Sequence, residues 1–224
     1  MYAATLGRII PRYAFVSLLF CLLLDLAVYG LTKPFVERLS GYDLSIPLDG
    51  MIPFSPWWII IYFGCYLFWA VNFVIITRTD KEHWYRFYTA VCFALIVCGV
   101  FFVVMPVTIT RPEIAEDGLM YDLVRFLYKI DTPVNLFPSI HCLASWYCWV
   151  GIRGRKEIPL WYRIFSFAVA VAVFCSTVFL KQHFIVDGIA GILLAEGTVL
   201  ASRLLPLYKY PMRFFDKLDS FMFE

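Results

Sequence analysis

The 224-residue sequence predicts an all-α, polytopic membrane protein: a bundle of six transmembrane helices with interfacial helices beside it, in one membrane domain covering 1–224. Three observations predict this class. Hydrophobic residues make up 62% of the chain and charged residues 16%, where soluble domains are about 45–50% apolar. The mean hydropathy is +0.76. The apolar residues gather into six runs, most of them near the roughly 20 residues that cross a bilayer as a helix. The net charge of +2 is small, and the basic residues form short clusters between the runs, so nucleic acid is not an expected partner. Seven cysteines lie in or beside apolar runs, never in a CxxC spacing. They read as small buried hydrophobes, and no disulfide, metal or cofactor is expected.

Arg8 and Arg12 precede a first apolar run at 13–31. The run is long and no small-x-small site follows it, which predicts a retained span and not a cleaved signal peptide. Asp25 inside it is expensive in hydrocarbon and either bonds a neighbouring helix or takes part in chemistry. Residues 32–56 hold four prolines and two glycines and end in the aromatic Pro53-Phe-Ser-Pro-Trp-Trp58, the composition of an irregular interfacial loop. A second span is expected at 57–77, then a polar segment at 78–86 with His83 as a solvated loop histidine. A third span at 87–107 ends near Arg111-Pro112.

Leu119, Met120, Leu123, Val124, Phe126, Leu127 and Ile130 recur at helical spacing within 111–135, which predicts an amphipathic helix on the membrane surface. The fourth run, 140–152, is short for a full crossing, so its start is expected within the protein, at a cavity. Spans five and six are expected at 160–180 and 184–205, the last carrying Glu196. The tail, 211–224, reads as an amphipathic interfacial foot. Thirteen of the nineteen Lys and Arg fall at the N-terminus, 78–86, 151–163 and the C-terminal end, and six fall on the other side. The thirteen-residue side is expected to be cytoplasmic. Arg111, the start of run four and the segment 176–187 then share the extracytoplasmic face.

That last segment is the chemically richest. In Ser176-Thr-Val-Phe-Leu-Lys181-Gln-His183-Phe-Ile-Val-Asp187, residues four apart on a helix share a face. Asp187 can then fix one imidazole nitrogen of His183 and leave the other as nucleophile or base. Alternatively, Asp187 serves only the local backbone. Arg111 and Lys181 can hold an anionic oxygen cluster, Arg111 as a fork and Lys181 as a point charge. Lys181 can equally be an interfacial lysine that snorkels. Ser139 and the free amides opening a helix after Pro138 add donors where the helix dipole favours an anion. With His141 as an acid, a phosphate group is the natural guest.

Here the chain resembles the type-2 phosphatidic acid phosphatase superfamily, whose integral-membrane members have six spans and three motifs in this order. The second motif, Pro-Ser-Gly-His, appears as Pro138-Ser139-Ile140-His141. The third, Ser-Arg-x5-His-x3-Asp, appears as Ser176-Thr177-x5-His183-x3-Asp187. The motif-bearing core covers about 87–205. The resemblance implies His183 as a nucleophile forming a phosphohistidine, Asp187 as its orienting partner, and His141 as the acid for the leaving alcohol. Arg111 and Ser139 would bind phosphate. Two positions depart: Val104 stands where the first-motif lysine would fall, and Thr177 where the third-motif arginine would. Lys181 is the one nearby basic replacement.

The expected function is hydrolysis of a lipid phosphate or pyrophosphate on the extracytoplasmic face, with membrane lipids as partners. The alternative is transfer of a phosphoryl head group to a second alcohol, as in the inositol phosphorylceramide synthase branch, where weakened flanking motifs also occur. A phosphodiester carries one charge where a monoester carries nearly two, so fewer cations suffice. A non-catalytic transporter or scaffold would use Asp25, Glu196 and the histidines as a path, but the polar groups gather at one face instead. Oligomeric state, head group and acceptor have no signature in the sequence.

Overall fold

The structure, a computed structural model, describes residues 6–223 and is helical almost throughout. A single turn, α1 (Leu6–Ile9), precedes α2 (Arg12–Val36). The short α3 (Pro47–Met51) and a 3-10 turn (Pro56–Trp58) lead into α4 (Ile59–Thr77). Then come α5 (Lys81–Val104), α6 (Leu119–Ile130), α7 (Ile140–Val150), α8 (Leu160–Phe179), α9 (Ile185–Leu204) and α10 (Lys209–Phe223). Among the described residues the only β pairing is an isolated bridge between Tyr42 and Val107. The chain is an all-α, multi-pass membrane protein, as its composition predicts.

Among the described residues, five segments are long and apolar enough to cross a membrane: Arg12–Val36, Pro56–Thr77, Lys81–Val104, Leu160–Phe179 and Ile185–Leu204. The fourth apolar run falls short of that length. Its helix α7 has eleven residues, about 16 Å at 1.5 Å per residue, roughly half of a 30 Å hydrocarbon core. The non-helical stretch before it is sunk in protein, with Asn135, Leu136 and Ser139 all buried, the one setting in which irregular backbone is tolerated at membrane depth. Leu22, Leu67, Phe93, Ile164 and Leu193 point outward from the five long helices and form a lipid-facing apolar belt.

Helix α5 is the central post. Its Trp84, Tyr85, Phe87, Tyr88, Leu95, Cys98 and Phe102 are buried in the main core, and the Trp84 indole donates to Ser17 Oγ at 2.8 Å. The helix begins earlier than its apolar run, because Asp80 caps it by accepting from the His83 amide at 2.8 Å. His83 is therefore not a solvated loop residue. It sits in the first turn, half-buried, with Nε2 donating to Gly151 O at 2.7 Å.

The end of the bundle that carries most basic residues is stapled by charge. Arg153 grips Glu196 with both ends of its fork, at 2.6 and 2.7 Å, and the Trp146 indole donates to the same carboxylate at 2.9 Å. Arg155 pairs with Asp80 and Lys81 with Asp216. Phe215 of α10 is buried against Phe20, Tyr85 and Tyr88, while Phe214 and Phe221 face outward. The tail is thus a foot tucked under α2 and α5. Towards the opposite end, α9 lies close against α7 because Gly191 faces it, while Gly188 makes room for Phe174 of α8 and Cys142 of α7. A Cβ on Gly191 would stand 2.6 Å from Ser139 O and 3.2 Å from Leu143 N.

Candidate active site

The site forms where α8 stops and α9 starts. Helix α8 closes with a Schellman pattern: Gln182 N donates to Thr177 O at 2.9 Å and Lys181 N to Val178 O at 3.1 Å. This places Lys181 in the left-handed region, φ 53°, where glycine is usual. The His183 amide also reaches Thr177 O, at 3.2 Å, so the turn delivering His183 is fixed by main-chain bonds. Helix α9 then opens with Phe184 N donating to Asp187 Oδ2 at 2.9 Å.

Asp187 is fully buried, and the same Oδ2 lies 3.5 Å from His183 Nδ1. His183 Nδ1 and Asp187 Oδ1 have no hydrogen-bond partner. Asp187 thus serves the helix start and also faces the imidazole on the side away from Nε2. Across the site, Ser139 caps α7, its Oγ accepting from Cys142 N at 3.3 Å. The Ser139 amide donates to Asp187 O at 3.0 Å, a main-chain link between the starts of α7 and α9. That link sets the His141 and His183 ring centroids 5.9 Å apart. His141 stacks on Tyr62 at 4.6 Å, lies beside Trp69, and has Tyr66 OH 3.3 Å from Nε2.

Arg111 approaches from the loop after α5. Its Nη1 donates to Asp131 O at 2.5 Å, its Nη2 to Gln182 Oε1 at 2.6 Å, and its guanidinium lies 4.7 Å over the Tyr128 ring. Nε is buried and unpartnered, which leaves a donor for an incoming anion. Burial pushes the Arg111 pKa down from its usual value and the nearby Asp131 pushes it back up. An arginine stays charged through such a shift. Helix α6 covers this end of the bundle: Val124 and Leu127 pack on Ile59, Tyr62 and Leu180, and Tyr128 OH donates to Leu180 O at 2.8 Å.

Arg111, Lys181 and His183 line one cavity of about 410 Å³, together with Ser45, Asp49 and Gly50. Ser139, His141 and Asp187 are not in its wall. His141 is reached ring to ring from His183, and Ser139 is committed to its cap. The Lys181 ammonium donates to Asp49 O at 3.0 Å and to Ile52 O at 2.6 Å, clasping the 47–52 turn while it faces the cavity. Thr177 Oγ1 turns back to Phe174 O at 2.8 Å, and exposed Val104 supplies no donor.

Four neighbours escaped the sequence reading. Gln182, 1% exposed, lies inside the singled-out stretch, and its polarity between two apolar runs was the available signal. Asp131, whose carboxylate accepts from the Tyr29 and Tyr62 hydroxyls, and Tyr128 lie at the end of the amphipathic helix. Asp49 had no signal, because the partners that tie it to the site, Ile185 and Lys181, are more than a hundred residues away in the chain.

The fold and the site together define a multi-pass membrane protein in which two histidines, His141 and His183, meet at one end, beside cations suited to an anionic oxygen cluster. A family model of the PAP2 superfamily matches residues 53–201, about two thirds of the chain, and the chain belongs to that superfamily. It is accordingly a lipid enzyme of the phosphatase or phosphotransferase type. No curated protein and no solved structure matches the chain.

Proposed function

We propose that the chain cleaves a phosphate group from a lipid phosphate or pyrophosphate through a covalent intermediate on His183. The observation that carries this reading is the meeting of Arg111, Lys181 and His183 on one cavity, with the His141 ring 5.9 Å from that of His183. The Nε2 lone pair of His183 attacks phosphorus, and the bond from phosphorus to the leaving oxygen breaks. His141 gives that oxygen a proton, while Asp187 holds the Nδ1 side of the His183 imidazole. Water then attacks the phosphohistidine, the P–N bond breaks, and the proton from water returns to His141. Arg111 supports the charge on the transferring oxygens.

The second reading keeps the first step and passes the group to another alcohol. The absence of a basic side chain at Val104 and Thr177 favours it, since a singly charged phosphodiester requires fewer cations. The distribution of basic residues supports a site on the extracytoplasmic face, with both termini in the cytoplasm. A transport path gains nothing from Glu196, which Arg153 and Trp146 engage at the opposite end.

The test is purified protein in detergent with a panel of lipid phosphates and phospholipids, following free phosphate and new lipid species by mass spectrometry. His183→Ala should abolish turnover, and Asp187→Asn should leave a small residue with lipid binding largely intact. Near-normal turnover in His183→Ala would remove the assignment.

A further inference from the structure

One wall of the cavity comes from outside the matched region. Ser45, Asp49 and Gly50 line it and precede residue 53, where the superfamily match begins. Among the described residues, Asp49 is the only carboxylate in that lining. It is 9% exposed and firmly placed, with Oδ2 accepting from Ile46 N at 2.8 Å and Oδ1 from Ile185 N at 2.9 Å. Both partners are N–H donors, the pairing of an ionised acceptor.

We propose that Asp49 makes this site selective for a phosphate carrying one negative charge, a phosphodiester, over a dianionic phosphomonoester. The inference rests on the reading that this cavity holds the phosphate His183 attacks, and of the two readings given there it takes the second, the phosphodiester, over the monoester of the first. The lining carries two cations, Arg111 and Lys181, and one anion, Asp49, which leaves a single net positive charge. Asp187 stands behind His183 and outside the wall. A diester monoanion is balanced by that charge, whereas a monoester dianion brings one charge in excess. Two of the three Lys181 ammonium donors are already committed to Asp49 O and Ile52 O, so its hydrogen bonding is largely used.

As a sphere the cavity would be about 9 Å across, so every charged group in its wall acts on a bound phosphate. At about 8 Å and an effective dielectric constant of about 30, one unit charge changes an affinity by about tenfold.

The experiment measures Kd for dimethyl phosphate and for methyl phosphate by phosphorus NMR at about pH 8, above the second phosphate pKa of about 6. It compares the parent chain, Asp49→Asn and Gly50→Lys, with turnover of bis(4-nitrophenyl) phosphate and 4-nitrophenyl phosphate in parallel. The parent should prefer the diester, and each variant should move the ratio about tenfold towards the monoester. Gly50→Lys adds a cation to the same wall where a new Cβ meets nothing within 4 Å, so it carries the test if Asp49→Asn fails to fold. A parent that prefers the monoester, or a ratio unchanged in folded Asp49→Asn or in Gly50→Lys, overturns the inference. If the binding ratio moves while neither ester is cleaved, the inference stands and the catalytic reading of His183 falls.

Discussion

Gly191→Ala puts the backbone frame of the site to the test. The added methyl would stand 2.6 Å from Ser139 O and 3.2 Å from Leu143 N, both main-chain atoms of the first turn of α7. No side chain can rotate away to relieve it, so α7 and α9 must part by about 0.8 Å to restore ordinary contact. Overpacking of this kind costs about 1–3 kcal/mol. The same movement strains the Ser139 N to Asp187 O bond, 3.0 Å in the native chain, and shifts His141 relative to His183. Displacing reacting groups by about 1 Å costs about a hundredfold in rate, so 10- to 100-fold is expected here. Gly197→Ala is the control: it lies in the same helix, and a Cβ there meets nothing within 4 Å. Thermal unfolding in detergent and turnover of a lipid substrate, measured on both variants, decide the matter. If Gly191→Ala matches Gly197→Ala in both, the close approach does not position the site. If it melts early but turns over normally while folded, the approach serves stability alone.

Lys181→Gly removes the ammonium and suits the left-handed backbone, whose cost for a side-chain-bearing residue is about 1 kcal/mol. Turnover should fall roughly 100- to 1000-fold with little change in melting temperature if Lys181 supports transferring charge, and a silent variant would show a lysine that only clasps the 47–52 turn. In a background without native cysteines, an impermeant thiol reagent outside the cell should label a cysteine replacing exposed Glu113 and spare one replacing exposed Lys156. The reverse pattern would move the site to the cytoplasm. Phe126 is 54% exposed on α6, beside the end of the bundle that holds the site. Phe126→Asp should impair a long-chain lipid more than a short-chain soluble analogue, and equal loss on both would make α6 purely structural.

The membrane class and most of the helices could be read from the sequence because their cause is local: an apolar run needs no partner to be recognised. Boundaries depended on caps, and Asp80 pulled α5 several residues upstream of its apolar stretch. The fourth run looked short, and eleven helical residues preceded by buried irregular backbone bear that out. The geometry brings Arg111, Lys181 and His183 together, but sequence spacing could not reveal that Ser139 is occupied as a cap or that Lys181 holds two carbonyls. Nor could it show Gln182 gripping Arg111, or a proline-rich interfacial loop folding back to supply Asp49. Most of these contacts join residues far apart in the chain, several of them through a backbone atom, and a backbone atom has no residue type to read.

At Thr177 the motif arginine is missing, yet the turn it would occupy is intact, because the carbonyl of residue 177 accepts the Gln182 and His183 amides whatever side chain the residue carries. Presentation of the histidine and the charge placed around it are therefore separable properties of this loop. A lineage can exchange the second while keeping the first, trying new ligands on an unchanged hinge between α8 and α9 without passing through a misfolded ancestor.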